Sequence, residues 1–313
     1  MMKVVFHYDA GPALRRQLDA YRGVGLDIAV CPETDDEPFG TQIGTADALW
    51  HVLKPVTAAV IAMAPRLKLI QKIGVGVNTI DLEAARAAHV AVCNMPGTNS
   101  RAVAEMTLLL MLSSVRLQPR VERICRTGGW ALDAQTRESF SEIAGKTVGL
   151  VGFGATAQLL APMLEAMGAN VIFSARQKRN SGYPQYSLPE LARRADIVSL
   201  HVPLTPETTR LFDEAMIRSM KPGAIFINTA RGGLVDEAAL RRALEDGHLR
   251  AAGLDVFEVE PVRPDNPLLK MDNVTVTPHV AWLTNETLAR SIEIAAANTL
   301  AIANAGVLRH RVV

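Results

Sequence analysis

Lys146–Arg179, KTVGLVGFGATAQLLAPMLEAMGANVIFSARQKR, reads as a strand, a glycine turn, a helix and a second strand. Thr147–Val151 is a short apolar run that stops at Gly152, and Gly154 follows two residues on. An Ala-, Leu- and Met-rich helical pattern then carries the chain to Gly168. In a first βα turn of this kind one glycine permits the tight backbone, and the next lets a pyrophosphate approach the main chain. The N–H groups that open the helix, at Ala155 and Thr156, would hold the negative charge. Ala157 stands in place of a third glycine, where a small side chain is enough for packing on the strand. The second strand, Asn170–Ser174, completes a dinucleotide-gripping unit. Pro162 interrupts its helix and predicts a local kink, since an interior proline forfeits a backbone bond at about 3 kcal/mol.

The surrounding chain agrees with this reading. At 313 residues, with 49% hydrophobic and 21% charged residues, there is length for two cores of ordinary composition. A net charge of +1 with no long basic run argues against nucleic acid or an anionic membrane as the main partner. Cys31, Cys93 and Cys125 form no CxxC pair, and no secretory leader is evident, so reduced thiols in a cytoplasmic protein are expected and no metal site is suggested. The stretch Met106–Leu112 is too short to span a bilayer and reads as buried helix.

Strand and helix signals alternate from end to end. Strands are expected at Lys3–His7, Ile28–Cys31, Ala46–Leu53, Leu67–Ile73 and Val90–Asn94, and a long helix from Ser100 to Leu117. Beyond Arg179 come strands Ile197–Leu200, Ala224–Asn228, Ala251–Asp255 and Val274–Val276, separated by helices, and a last helix over Asn285–Ala305. Such alternation predicts α/β architecture with two doubly wound parallel sheets, the first domain being discontinuous. Val121–Glu142 is expected to be polar and irregular, an arm around Gly128-Gly129-Trp130. Gly74–Asn78 leaves successive N–H groups at a strand's carboxyl end, where open α/β sheets bind ligands.

Seven motifs in order carry a resemblance: GVGVNTID (Gly74–Asp81), NSRAVAE (Asn99–Glu105), Gly149–Ala157, HVPLTPET (His201–Thr208), NTARGGLVD (Asn228–Asp236), GLDVFEVEP (Gly253–Pro261) and TPHVAW (Thr277–Trp282). With them the chain resembles the D-isomer-specific 2-hydroxyacid dehydrogenases, and at Trp282 their glyoxylate and hydroxypyruvate reductase branch. The resemblance implies a Rossmann cofactor domain, residues 99–284, inserted into a flavodoxin-like substrate domain, residues 1–98 and 285–313. It also implies reduction of a small 2-keto acid by a nicotinamide cofactor in the cleft between the domains.

Arg231, Glu260 and His279 match the family's catalytic set. A planar guanidinium at Arg231 would bind the substrate carboxylate and polarise the carbonyl; an imidazole at His279 would exchange a proton with the substrate oxygen. Glu260 would orient that imidazole, fix its tautomer and favour its charged form. Substrate contacts are further expected from the N–H groups of Val75 and Gly76 and from Trp282 as a flat wall; Asn78 stands where the family often has Asp. Trp50, His51, Leu53 and Tyr8 are additional pocket candidates, and Trp130 would reach a partner subunit in a homodimer. Around the cofactor the resemblance places Gly152, Gly154, Ala155, Thr156 and Ser174, the loop of His201, Val202, Pro203 and Thr208, then Thr229, Ala230 and Ala281, with Asp255 on the nicotinamide carboxamide.

Cofactor choice rests on the end of the second strand. An NAD site places an acid about twenty residues past the glycine turn. Here that position is Ala175, followed by Arg176, Lys178 and Arg179, which predicts NADP(H) over NAD(H), with phosphate clamped by guanidinium. The competing reading is a nucleotide-sensing module of the corepressor kind on the same fold, against which the end of the chain at Val313, with no added tail, is set. Phosphoglycerate dehydrogenase is disfavoured on the same ground, since no regulatory domain follows.

Overall fold

Each short β-rich run that ends in glycine or a polar turn forms a strand, and most helices open on a side-chain cap. The computed structural model describes Met1–Val313. In chain order the elements begin β1 (Met2–His7), α1 (Pro12–Asp19), β2 (Leu26–Cys31), α2 (Asp36–Ile43), β3 (Ala48–His51), α3 (Ala58–Ala62), β4 (Leu69–Lys72), α4 (Leu82–Ala87) and β5 (Ala91–Cys93). There follow α5 (Ser100–Val115), α6 (Gln118–Arg126), α7 (Ala134–Glu138), β6 (Thr147–Val151), α8 (Ala155–Ala166), β7 (Asn170–Ser174), α9 (Leu188–Arg194) and β8 (Ile197–Leu200). The chain closes with α10 (Glu214–Ser219), β9 (Ala224–Asn228), α11 (Glu237–Glu245), β10 (Leu249–Leu254), β11 (Val274–Val276) and α12 (Asn285–Ala303).

Contacts divide the chain into two units, Met1–Asn99 with Thr284–Val313, and Ser100–Leu283. The first holds a parallel sheet in the order β2-β1-β3-β4-β5, a flavodoxin-like order. On one face Val5, Leu49, Ile70 and Val92 pack with Phe39, Ile43, Ile61 and Ala85. On the other, Trp50 is fully buried and its indole N–H donates to Thr299 Oγ1 on α12 at 3.0 Å. The exposed edge of β5 is blunted by the last residues of the chain, with Val312 N–H donating to Val92 O at 2.7 Å.

The second unit holds six parallel strands in the order β11-β10-β9-β8-β6-β7. A parallel bridge from Phe173 to Gln185 adds a one-residue strand outside β7. With it the order is 3-2-1-4-5-6-7, the doubly wound 3-2-1-4-5-6 with β11 added at the far edge, and the switch point lies between β6 and β8. One face is filled by Leu110, Met111, Leu160 and Leu164 of α5 and α8, the other by residues such as Leu191, Ile217 and Leu240 of α9, α10 and α11.

Two expectations need correction. Val121–Glu142 is not irregular: it contains most of α6 and all of α7. α6 starts from Leu117 with Pro119 in its first turn, and Asp133 caps α7 by accepting Thr136 N–H at 2.7 Å. Trp50 and His51 are core rather than pocket residues, each 0% exposed, because β3 is central in its sheet and covered on both faces. α8 continues through Pro162, which lies on its exposed face, where water can serve the carbonyl of Gln158 that the proline cannot.

Candidate active site

The site is assembled at the carboxyl ends of β9, β10 and β11, neighbours in the second sheet. β9 ends at Asn228, a residue 1% exposed whose side chain bends the chain that follows it. Its Oδ1 accepts Ala230 N–H at 3.0 Å and its Nδ2 donates to Arg231 O at 2.9 Å. The same segment is tied to α5, where the Thr107 and Thr229 hydroxyls lie 2.8 Å apart. Gly232 follows because nothing larger fits: a Cβ there would stand 1.9 Å from the Phe257 carbonyl carbon. Arg231 is thus held by its backbone on both sides, and its Nη1 donates to Ala230 O at 2.6 Å. Burial draws its guanidinium below the ordinary value, with the Glu260 charge opposing. It stays a cation, and a partly buried cation favours an anionic partner.

β10 ends at Leu254, and the next residue, Asp255, is 1% exposed. Its carboxylate is occupied by one loop: Oδ1 accepts the Thr277 hydroxyl at 2.6 Å and Val280 N–H at 2.9 Å, and Oδ2 accepts Ala281 N–H at 2.9 Å. The Asp255 carbonyl also accepts His279 N–H at 2.8 Å. These bonds fix a backbone that would otherwise relax, since His279 sits at φ +54°, a left-handed conformation costing a non-glycine residue about 1–3 kcal/mol. Burial pushes the Asp255 carboxyl up, while the Thr277, Ala281 and Val280 donors and the His279 charge pull the other way. Asp255, expected against the nicotinamide carboxamide, is bonded through its carboxylate to the 277–281 loop. Ala281 and Trp282, 4% and 8% exposed, are buried.

His279 Nδ1 lies 2.6 Å from Glu260 Oε2, and the other carboxylate oxygen, Oε1, accepts Phe257 N–H at 2.9 Å. Burial alone would raise the Glu260 carboxyl. The His279 bond and charge, the Phe257 N–H and the Arg231 guanidinium outweigh it and hold the carboxyl below its usual range. Glu260 is therefore an anion at neutral pH, and His279 keeps its Nε2 for other partners.

At the switch point the glycine turn has the shape of a phosphate cradle. Gly152 has φ +94°, and a Cβ on it would meet His201 O at 2.5 Å. The turn is pinned by Gly152 N–H to Ser174 O at 2.8 Å and His201 N–H to Val151 O at 2.7 Å. Eight helices of the chain open on a Ser, Thr or Asp cap, but α8 opens on Gly154 with no side-chain cap, so the first N–H groups, at Ala155 and Thr156, face outward. These features fit a dinucleotide. His201 bonds Ser199 Oγ at 2.9 Å, and burial lowers it to about 4, so it is neutral at pH 7 and brings no charge to a phosphate. The loop after Val202 is closed on itself by Thr208, whose hydroxyl donates to Pro203 O at 2.7 Å and accepts Thr205 N–H at 2.7 Å. Arg176, Lys178 and Arg179 are exposed just past β7.

In the first unit, Gly74 has φ +139° and the loop it starts is held by Asn94 Nδ2 to Val75 O at 2.8 Å and Met95 N–H to Gly74 O at 2.8 Å. The N–H groups of Val75 and Gly76 donate to no main-chain carbonyl. Val75 is 44% exposed, so both are suited to an anion.

A family model described as the NAD-binding domain of D-isomer specific 2-hydroxyacid dehydrogenases matches residues 108–281. The chain belongs to the D-isomer-specific 2-hydroxyacid dehydrogenase family. A D-3-phosphoglycerate dehydrogenase of Mycobacterium tuberculosis is 43% identical over 278 residues, which cover 86% of this chain and 52% of that protein. The chain therefore spans about half the length of these curated relatives. A glyoxylate reductase of Aeropyrum pernix is 35% identical over 88% of this chain and 87% of its own. Among solved structures, a protein of Thermus thermophilus superposes with a TM-score of 0.91 at 36% identity, covering 100% of both chains. An acyclic imino acid reductase solved with NADPH and D-Arg has a TM-score of 0.84 at 28% identity over 100% of both chains. A Staphylococcus aureus formate dehydrogenase solved with NAD has 0.89 at 26%, over 100% of this chain and 99% of its own. No helix is long and apolar enough to cross a membrane.

Proposed function

We propose that this chain reduces a small 2-keto acid to the D-2-hydroxy acid, with His279 as proton donor. The observation that carries the reading is the 2.6 Å pairing of His279 Nδ1 with Glu260, whose carboxylate also feels the charge of Arg231, a residue with its backbone held by Asn228. Nδ1 is committed to the carboxylate, so Nε2 gives its proton to the carbonyl oxygen as the carbon is reduced. Arg231 grips the substrate carboxylate through its planar fork and draws electron density toward the neighbouring carbonyl oxygen. Glu260 stays ionised and balances the charge on the imidazolium until the proton leaves. Asp255 keeps His279 in its left-handed turn, so the ring does not have to be repositioned at each turnover. A nicotinamide cofactor held at the Gly152–Thr156 turn would supply the hydride for the carbonyl carbon. In the reverse direction the same imidazole takes the hydroxyl proton.

The preferred substrates are glyoxylate, hydroxypyruvate or a similar small acid, a choice supported by the 35% identity to a glyoxylate reductase. A second reading, favoured by the 43% identity to phosphoglycerate dehydrogenases, is the keto acid formed by oxidising D-3-phosphoglycerate at its 2-hydroxyl. NADPH is the preferred cofactor. Ala175 replaces the acid that would repel a 2′-phosphate, and Arg176, Lys178 and Arg179 supply cations beside it. The chain acts as a homodimer, for which Leu109, Leu112 and Trp130 offer exposed apolar surface at 55%, 38% and 91%.

Loss of nicotinamide absorbance tests this directly. NADPH and NADH are each offered with glyoxylate, hydroxypyruvate, its 3-phosphate, pyruvate and phenylpyruvate. Turnover with glyoxylate or hydroxypyruvate, at least tenfold more efficient with NADPH, is the expected result. Faster turnover of the 3-phosphate would select the second reading, and no turnover of any keto acid would overturn both.

A further inference from the structure

The loop that carries Arg176, Lys178 and Arg179 has no packing of its own. Residues 176–180 are all exposed, and ordering a charged, exposed backbone costs about 1–2 kcal/mol per residue. One side chain supplies most of the order. The Gln185 amide nitrogen donates to Ala175 O at 3.0 Å and to Gln177 O at 3.1 Å, and its amide oxygen accepts Arg179 N–H at 3.0 Å. A primary amide presents two donors and an acceptor at fixed angles, and here all three are spent on the main chain of one turn. The first two bonds bracket Arg176, and the third fixes the backbone of Arg179.

Gln185 is itself anchored. It forms the one-residue third strand of the second sheet, bridged in parallel to Phe173, which is fully buried. Phe173 N–H donates to Pro184 O at 3.0 Å, and Tyr186 N–H donates to Phe173 O at 2.9 Å. The side chain therefore projects from a rigid point and holds a loop that lacks one. The Arg176 charge also reaches Glu207, lowering its carboxyl behind the larger effects of the Thr205 hydroxyl and its own backbone.

We propose that Gln185 is the positioning residue for cofactor discrimination: it holds the Ala175–Arg179 turn in the shape that presents Arg176 to the 2′-phosphate of NADP(H). It does so without touching the phosphate, by lowering the ordering cost that binding would otherwise meet. This rests on the NADP(H) reading above. Gln185→Met keeps the length of the side chain and removes all three bonds.

Isothermal titration calorimetry with NADP+ and with NAD+ separates the possibilities without turnover. Wild type should bind NADP+ at least tenfold more tightly than NAD+. Gln185→Met should weaken NADP+ about tenfold and leave NAD+ within twofold, the unchanged NAD+ affinity also certifying the fold. In an Arg176→Ala background the same substitution should add little, since its effect passes through Arg176. If Gln185→Met does not fold, Gln185→Ala makes the same comparison. Equal wild-type affinities would overturn the cofactor reading and this inference with it. A wild-type preference left intact in Gln185→Met, or both cofactors weakened alike, would overturn the role of Gln185 alone.

Discussion

Replacing Glu260 with Gln isolates the charge from the shape. The amide oxygen can still accept Phe257 N–H, as Oε1 does now at 2.9 Å, so the turn keeps its internal bond. What changes is the contact to His279 Nδ1, at 2.6 Å between side chains only 20% and 33% exposed. With the amide oxygen kept by Phe257 N–H, the NH2 faces Nδ1 and cannot accept from the protonated ring, so the hydrogen bond to the charged imidazole, about 1.5–3 kcal/mol, is lost. That loss is felt when the imidazole is charged, so kcat falls roughly 10- to 150-fold. The assay is steady-state NADPH oxidation with the best keto acid, paired with calorimetric NADP+ binding, which should be unchanged because Glu260 meets no phosphate. A variant that keeps more than half of wild-type kcat, or one that loses cofactor affinity in proportion to rate, would refute the reasoning.

Arg231→Lys should raise KM for the keto acid and lower kcat/KM by about a hundredfold, since a point charge cannot reproduce the planar fork; an unchanged KM would remove Arg231 from substrate capture. Stability should fall in mild acid. His201 titrates at about 4 in the fold against 6.5 unfolded, so the unfolded chain takes up the proton first. Its contribution is complete above pH 6.5 and is lost as pH falls toward 4, reaching about 3 kcal/mol. Urea midpoints at pH 7, 5.5 and 4.5 for wild type and His201→Gln measure it, and parallel acid loss in both would exclude His201 as the source.

Local signals made much of this legible. The unit β6–α8–β7 could be read because a glycine turn and a helical period sit side by side in Lys146–Arg179. The motif order likewise put Glu260 and His279 together, 19 residues apart in sequence and 2.6 Å in space. What was hidden depends on distance along the chain. Thr107 meets Thr229 across 122 residues, and Asp255 meets Thr277 across 22, with no periodicity to announce either. Asn228 reads as the last residue of a strand, and only the fold shows its amide closing the Arg231 turn. α6 escaped because it is short and mostly charged, with Arg120, Glu122, Arg123 and Arg126 surrounding the i, i+3, i+4 stripe of Val121, Ile124 and Cys125. The position of Trp50 at a strand end was correct, but position alone does not say that α12 covers it.

The central claim is a hydride delivered to C2 of a keto acid while the His279 imidazole protonates the oxygen. NADPH carrying deuterium at the transferred C4 position, turned over with glyoxylate or hydroxypyruvate, tests it. The account predicts one deuterium bound at C2 of the hydroxy acid, of D configuration where C2 is a stereocentre, at a rate cut by about a hundred- to ten-thousand-fold in His279→Ala. Product without deuterium at C2, or formed equally fast by His279→Ala, would contradict it.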